Sequence, residues 1–372
     1  MQLHPTKSNA PLIVYLDFKS PYAFLAVEPT RQLERELNLS FDWRPFVLDI
    51  PSYLGSASLD ETGAVAEQSR TSEQWAAVKY AYYDCRRYAN IAGVTIRGTT
   101  KIWDTHLATA AMLWVREHQP EHVPALIDHI YQPFWKRELD IENPAAVRSI
   151  LADIGINAVS CLEWINGEGL DSTRRFEEAC FDHGIYGVPT YIIDDELYFG
   201  REHLPRVAWH LHGKQGPAPD IANPLSSNPE LPACPDKRVA VQVDTSIDSL
   251  LAIKPLANML DTLGLEAEWA RSNSLSLEQL LPQDSANPRG KTHGQLRQLN
   301  QQRNIDRYAP GINEENLERL IQEELDRCGV SLTKTDQQQP SPFPGIVVNL
   351  DGEHFIGRQH LPVVEAILSQ PS

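Results

Sequence analysis

Laid under Leu12–Pro45 at a constant shift of 226, the segment Arg238–Arg271 puts Ser246 under Ser20, Leu250-Leu251-Ala252 under Phe24-Leu25-Ala26 and Pro255 under Pro29. The same shift puts Leu263 under Leu37 and Trp269 under Trp43. Later, Phe343-Pro344-Gly345-Ile346-Val347-Val348 matches Val188-Pro189-Thr190-Tyr191-Ile192-Ile193, and Gly357-Arg358-Gln359-His360-Leu361-Pro362 matches Gly200-Arg201-Glu202-His203-Leu204-Pro205. Both ends of one unit recur in the same order, which a chance likeness between two helices would not give. The chain therefore holds two versions of one architecture, the second with a shorter and more polar middle over about 271–340.

In the first copy, Leu12-Ile13-Val14-Tyr15-Leu16 has the length and apolar character of a strand, ended by Asp17-Phe18-Lys19. Ser20-Pro21 then starts a helix, since Ser is a favoured N-cap and Pro at the first helical position loses only an amide that would be unpaired anyway. Phe24, Val27, Leu33 and Leu37 keep a helical stripe, with a kink expected at Pro29. The Ser20 hydroxyl thus sits at the positive end of a helix, where a thiolate or other anion is stabilised. Leu39–Arg44 alternates like a second strand, and residues 46–71 give no assignable pattern. Helices are expected over 73–92, 104–118, 123–138, from Asn143-Pro144, and over about 169–183. Two strands, 190–193 and 197–199, flank the turn Asp194-Asp195-Glu196, and a last helix runs to Leu211. Residues 213–237 hold six prolines and no apolar period, the composition of a semi-extended linker. The expected organisation is 1–212 as a mixed α/β sheet with a helical insertion at about 73–183, then the linker, then 238–372 as the second copy.

A formal charge of -17 argues against a general nucleic-acid or acidic-membrane binder. No apolar run precedes residue 12 and none reaches membrane-spanning length, so a cytoplasmic protein is expected. The five cysteines, Cys85, Cys161, Cys180, Cys234 and Cys328, are odd in number and form no C-x-x-C pair. That is neither a disulfide framework nor a zinc site, and thiol chemistry would need a thiol from outside. His210 and His212 have no ligand cluster around them, so no metal is expected.

Asp17-Phe18-Lys19-Ser20-Pro21-Tyr22, Trp43-Arg44-Pro45, Asp84 with Arg87-Tyr88-Ala89, Gly187-Val188-Pro189-Thr190 and Phe199-Gly200-Arg201-Glu202-His203-Leu204 together resemble the thioredoxin-fold family of 2-hydroxychromene-2-carboxylate isomerases and kappa-class glutathione transferases, relatives of the DsbA-type oxidoreductases. The resemblance covers most of residues 12–211. It implies a thioredoxin-like fold, glutathione as cosubstrate, a small electrophile as substrate, and Ser20 as the residue that stabilises the glutathione thiolate. It also implies glutathione contacts from Pro21 and Tyr22, from a cis Val188-Pro189 peptide whose backbone pairs with the tripeptide, from Glu202 and His203, and from Lys79 as the basic residue of the first inserted helix. Glu202 stands where the family usually has Asp. Family members commonly pair as homodimers, and the tandem is expected to replace that pair.

Each of these residues also has a plainer reading. Ser20-Pro21 is an ordinary helix start, Lys79 a solvated helix charge, and Glu202 an acid compensating a helix dipole. His203 and His360 recur in both copies, which points to shared capping or packing. Tyr80, Tyr82, Tyr83 and Tyr88 suit core and interface, with some lining the cleft beside the sheet. In the second copy Ser246 persists while Ile247 replaces Pro21, Gly345 replaces Thr190 and Gln359 replaces Glu202, so this lobe is expected to be degenerate and of little activity. A disulfide oxidoreductase is disfavoured because Ser20 opens no C-x-x-C pair, and such chemistry needs two sulfurs. A binding or scaffold protein that has kept the fold and lost glutathione is the non-enzyme alternative.

Overall fold

The computed structural model describes residues 3–371 except 61, 63, 227, 276–278, 280–287 and 334–339. β1 (Ile13–Leu16) is buried along its whole length, as an unbroken apolar run requires. α1 (Pro21–Leu37) follows, with Ser20 as N-cap, Pro21 in its first turn, Pro29 inside it and Asn38 closing it in the left-handed conformation. β2 (Asp42–Pro45) returns parallel to β1. The unassigned stretch holds the short α2 (Ile50–Leu54) and a hairpin of β3 (Ala57–Leu59) with β4 (Val65–Gln68), a hairpin none of whose strand residues is buried. Two strands this short, with no buried residue, leave no period to read.

The helical insertion begins with α3 (Ser72–Ile91), started by a Thr71–Gln74 capping box and followed by Gly93 at positive φ. Then come α4 (His106–His118), α5 (Val123–Trp135) and α6 (Pro144–Asp153), the last capped by Asn143. α7 (Ala158–Trp164), which sequence reasoning missed, runs through the turn Ile165–Gly169 into α8 (Leu170–Asp182). β5 (Thr190–Ile193) and β6 (Glu196–Phe199) form a tight hairpin whose turn residues Asp194 and Asp195 both take positive φ. α9 (Leu204–Leu211) completes the lobe.

The second lobe is β7 (Val239–Val243), α10 (Ile247–Leu263), β8 (Ala267–Arg271), α11 (Pro288–Tyr308), α12 (Leu317–Arg327), β9 (Val347–Leu350), β10 (Glu353–Ile356) and α13 (Leu361–Leu368). The sheet orders are β2-β1-β5-β6 and β10-β9-β7-β8, the same topology twice. The helical insertion of the first lobe is reduced in the second to two helices among the described residues, and part of its polar middle, 276–278, 280–287 and 334–339, lies outside them. Among the described residues no helix is long and apolar enough to cross a membrane.

Two details correct the sequence alignment of the copies. β5 and β9, β6 and β10, and the 3-10 turns Arg201–His203 and Arg358–His360 correspond at a shift of 157. Ile346 therefore stands at Pro189 and Val347 at Thr190, not Pro344 and Gly345. The backbone agrees: Gly357 donates to the Ile346 carbonyl at 2.7 Å as Gly200 does to that of Pro189 at 2.9 Å. A slip of two residues leaves every strand side chain on its own face, so alternation could not reveal it. In addition, Thr245 alone separates Asp244 from Ser246, where Phe18 and Lys19 separate Asp17 from Ser20. The shift of 226 holds for the helix and slips by one at the strand end.

The lobes are joined reciprocally. Tyr88 on α3 bonds His360 Nδ1 of the second lobe at 2.8 Å, and Tyr308 at the end of α11 bonds His203 Nδ1 of the first at 2.7 Å. Arg87 reaches across to Glu353 and the His354 carbonyl and lies 3.8 Å over the Phe355 ring. The proline-rich segment runs through this seam: Ala222 donates to the Glu202 carbonyl, and Asn223 to the Gln359 carbonyl and the Tyr88 hydroxyl.

Burial pushes His203 down to about 3 and His360 to about 4, so the folded chain holds both neutral. Below about pH 6.5 the unfolded chain takes up protons that the folded one refuses, so this stability is complete above that pH and is lost progressively toward pH 4. The melting midpoint should fall over this window, and His360→Gln, which leaves every carboxylate in place, should flatten the fall. A wild-type midpoint independent of pH there would contradict the assignment.

Candidate active site

The site is built on Asp17, the first residue after β1, which is fully buried. Its Oδ1 accepts from the Lys19 amide at 3.2 Å and from Thr105 Oγ1 at 2.8 Å, and its Oδ2 accepts from the Leu48 amide at 2.7 Å, with Lys19 Nζ 3.7 Å away. The Asp17 carbonyl accepts from the Ser20 amide and from the Tyr131 hydroxyl. One residue thereby ties the start of α1 to the chain after β2 and to two helices of the insertion. Ser20 is held at that junction.

Ser20 Oγ accepts from the Ala23 amide at 3.2 Å, and its own hydrogen has no acceptor among the described residues. The hydroxyl can therefore donate, from the positive end of a helix, to an acceptor that comes within reach. The Val188-Pro189 peptide is cis, and neither the amide nor the carbonyl of Val188 has a partner among the described residues.

These groups open on a cavity of about 990 Å³ lined by Ser20, Pro21, Tyr22 and Val188, by Tyr53 and Arg70, by α3 through Lys79 and Tyr82, and by the second lobe through His293, Arg297, Phe343 and His354. Tyr22 also donates to Asp84 at 3.4 Å, and burial raises its hydroxyl well above its usual value. Lys79 is exposed at the cavity edge. Pro189, Glu202 and His203 are not among the described lining residues. His203, expected to contact glutathione, is buried, with its Nδ1 bonded to Tyr308 of the second lobe. Glu202 folds its carboxylate back over Gly200, and burial raises it. Tyr53, Arg70, His293 and Arg297 were missed by sequence reasoning. The spacing of His293 and Arg297 puts them on one helix face, but nothing in the sequence says what that face meets.

A larger polar groove of about 1630 Å³ lies around Asp42, Arg44 and Arg116, whose charges pair with one another. It contains neither Ser20 nor Val188.

The second lobe repeats the frame and fills it from within. Ser246 Oγ accepts from the Ser249 amide but donates its hydrogen to Asp244 Oδ1 at 2.5 Å. Asp248, at the place of Tyr22, accepts from the Ile346 amide at 3.2 Å, the Arg358 amide at 3.1 Å and the Arg358 guanidinium at 2.7 Å. In the first lobe the matching Arg201 is buried against the Tyr88 ring at 3.9 Å, with Nε and Nη2 unpartnered among the described residues.

None of the five cysteines lines the cavity among the described residues, and burial pushes all five thiols up.

Residues 11–212 match the DSBA-like thioredoxin domain, more than half of the chain and the whole of the first lobe's sheet and insertion. The chain belongs to that family. Over 191 residues it is 24% identical to 2-hydroxychromene-2-carboxylate isomerase of Sphingobium xenophagum, a match covering 51% of this chain and 92% of the relative. Among solved structures, a 2-hydroxychromene-2-carboxylate isomerase superposes with a TM-score of 0.42 at 15% identity over 55% of this chain and 99% of that one. The cytosolic disulfide reductase DsbM of Pseudomonas aeruginosa with GSH gives 0.35 at 14% identity over 50% and 87%.

In this DSBA-like domain Asp17 is the residue on which the position of Ser20 rests. Asp17→Ala strips acceptors from three donors and leaves Lys19 buried and unpaired, so it should cost about 3–5 kcal/mol in a urea denaturation. A midpoint within error of wild type would show that the turn holds without it.

Proposed function

We propose that the chain is a glutathione-dependent isomerase or transferase acting on a small conjugated or aromatic electrophile. The observation that carries this reading is the uncommitted Ser20 hydroxyl facing a cavity beside the unpaired backbone of Val188. An unpaired strand-like edge suits an extended tripeptide, which would add to it by main-chain hydrogen bonds. Its cysteinyl sulfur would then lie at the start of α1. A free thiol near pKa 8.5 is mostly protonated at neutral pH, and a donor at a helix N-terminus lowers that value. The five cysteines, four buried and one half-buried, are all pushed up and do not line the cavity among the described residues, which favours a borrowed thiol over one of the chain's own. Relatedness to an isomerase supports the same class.

In the isomerase form the thiolate adds to the β-carbon of a conjugated enone, forming a C–S bond and moving the π electrons onto the carbonyl oxygen. Rotation about the resulting single bond and collapse of the enolate expel the thiolate and regenerate glutathione. In the transferase form the thiolate displaces a leaving group, and the sulfur stays attached to the product. Val188, Pro21 and Tyr22 would position the tripeptide and Lys79 would meet its charge at the edge. Pro189 would shape the loop.

Calorimetry should detect glutathione binding, and bound glutathione should show thiolate absorbance near neutral pH. Ser20→Ala removes one hydrogen bond to a charged group, so kcat/KM with chlorodinitrobenzene should fall roughly 10- to 100-fold as the thiol pKa rises. An unchanged rate and thiol pKa would leave Ser20 as a helix cap.

A further inference from the structure

The cavity beside Ser20 is cationic in an acidic protein. Seven of its described lining residues are Lys or Arg and none is Asp or Glu, while the chain carries 50 acids against 33 bases. Five of the seven are already engaged. Lys19 faces Asp17, Lys101 faces Glu142, and Arg70, Arg86 and Arg137 donate to the carbonyls of Leu54, Tyr82 and Gly98. Lys79 and Arg297 have no hydrogen-bond or ion-pair partner among the described residues. Lys79 is exposed and solvated. Arg297 is half-buried on α11, and burial lowers its guanidinium below its usual value.

One turn before it, His293 is 4% exposed, stacks on Tyr53 at 3.9 Å with the rings nearly parallel, and meets Tyr186 edge-on at 5.1 Å. Its Nδ1 is buried with no partner among the described residues. Tyr53, His293 and Arg297 line the same cavity as Ser20, so the unpaired cation and the serine face one space. A desolvated guanidinium without a counter-charge is costly, and a carboxylate entering the cavity removes that cost with two charge-assisted hydrogen bonds.

We propose that α11 supplies the anion anchor of this cavity: Arg297, with His293 beside it, holds a carboxylate of the ligand while the first lobe presents Ser20. This deepens the glutathione reading and rests on it for the reaction, but not for the binding. The second lobe, self-filled at its own site, is then a working part of the first. The apolar walls given by Tyr53, Tyr82, Trp103 and Phe343 take the body of the ligand, and the arginine takes its charge. The carboxylate comes either from the electrophile or from the tripeptide.

The test titrates the full chain, wild type, Arg297→Gln and Arg297→Lys, with 1-naphthoate, with neutral 1-naphthol and with glutathione. Arg297→Gln should weaken naphthoate about 10- to 100-fold and leave naphthol unchanged, with Arg297→Lys in between. That result places the electrophile's carboxylate on Arg297. Loss confined to glutathione places the tripeptide's carboxylate there and supports the anchor equally. Affinities for naphthoate and glutathione both unchanged in a variant that melts like wild type overturn the proposal, as does a wild type that binds neither. A wild type that binds naphthoate through Arg297 and ignores glutathione keeps the anchor and removes the glutathione reading.

Discussion

A buried carboxylate at the end of the first strand organises this protein. Asp17 leaves water only because donors from three separate segments meet it, and the same bonds that compensate its charge draw those segments together. The start of α1, the chain after β2 and the insertion cannot shift independently once they share that acceptor. Ser20 inherits its position from this knot. The second lobe keeps the device: Asp244 accepts from Ser246, Ser249 and the Gly345 amide. There the knot has tightened onto the serine itself, and the hydroxyl that is free in the first lobe is consumed.

The same contrast runs through the rest of the repeat. Asp248 brings an internal carboxylate to Arg358 and to a backbone amide, which a proline at the place of Ile346 could not offer. The first lobe has Tyr22 and cis Pro189 at those places and keeps its cavity open. One lobe therefore keeps an uncommitted hydroxyl at an open cavity, and the other satisfies its own groups. Their union is reciprocal, each lending a tyrosine to the other's histidine.

The sequence carried the architecture because its signals were local and strong. Apolar runs, Ser-Pro and Asn-Pro helix starts and the Asp-Asp turn all specify backbone conformation within a few residues. The repeat register failed where those signals are degenerate, since a two-residue slip in a short strand preserves its faces. The site was half legible. Ser20, Pro21, Tyr22 and Val188 sit next to the strand and loop that position them, so their neighbourhood could be read. Arg297 and His293 could not be found this way, because they reach the cavity only through the packing of one lobe on the other. The same packing buries His203 against Tyr308.

The most direct measurement is a crystal structure of the full chain grown with glutathione. The account predicts the tripeptide extended along Val188, with its sulfur within hydrogen-bonding reach of Ser20 Oγ. Glutathione bound elsewhere, or a sulfur turned away from the start of α1, would contradict it.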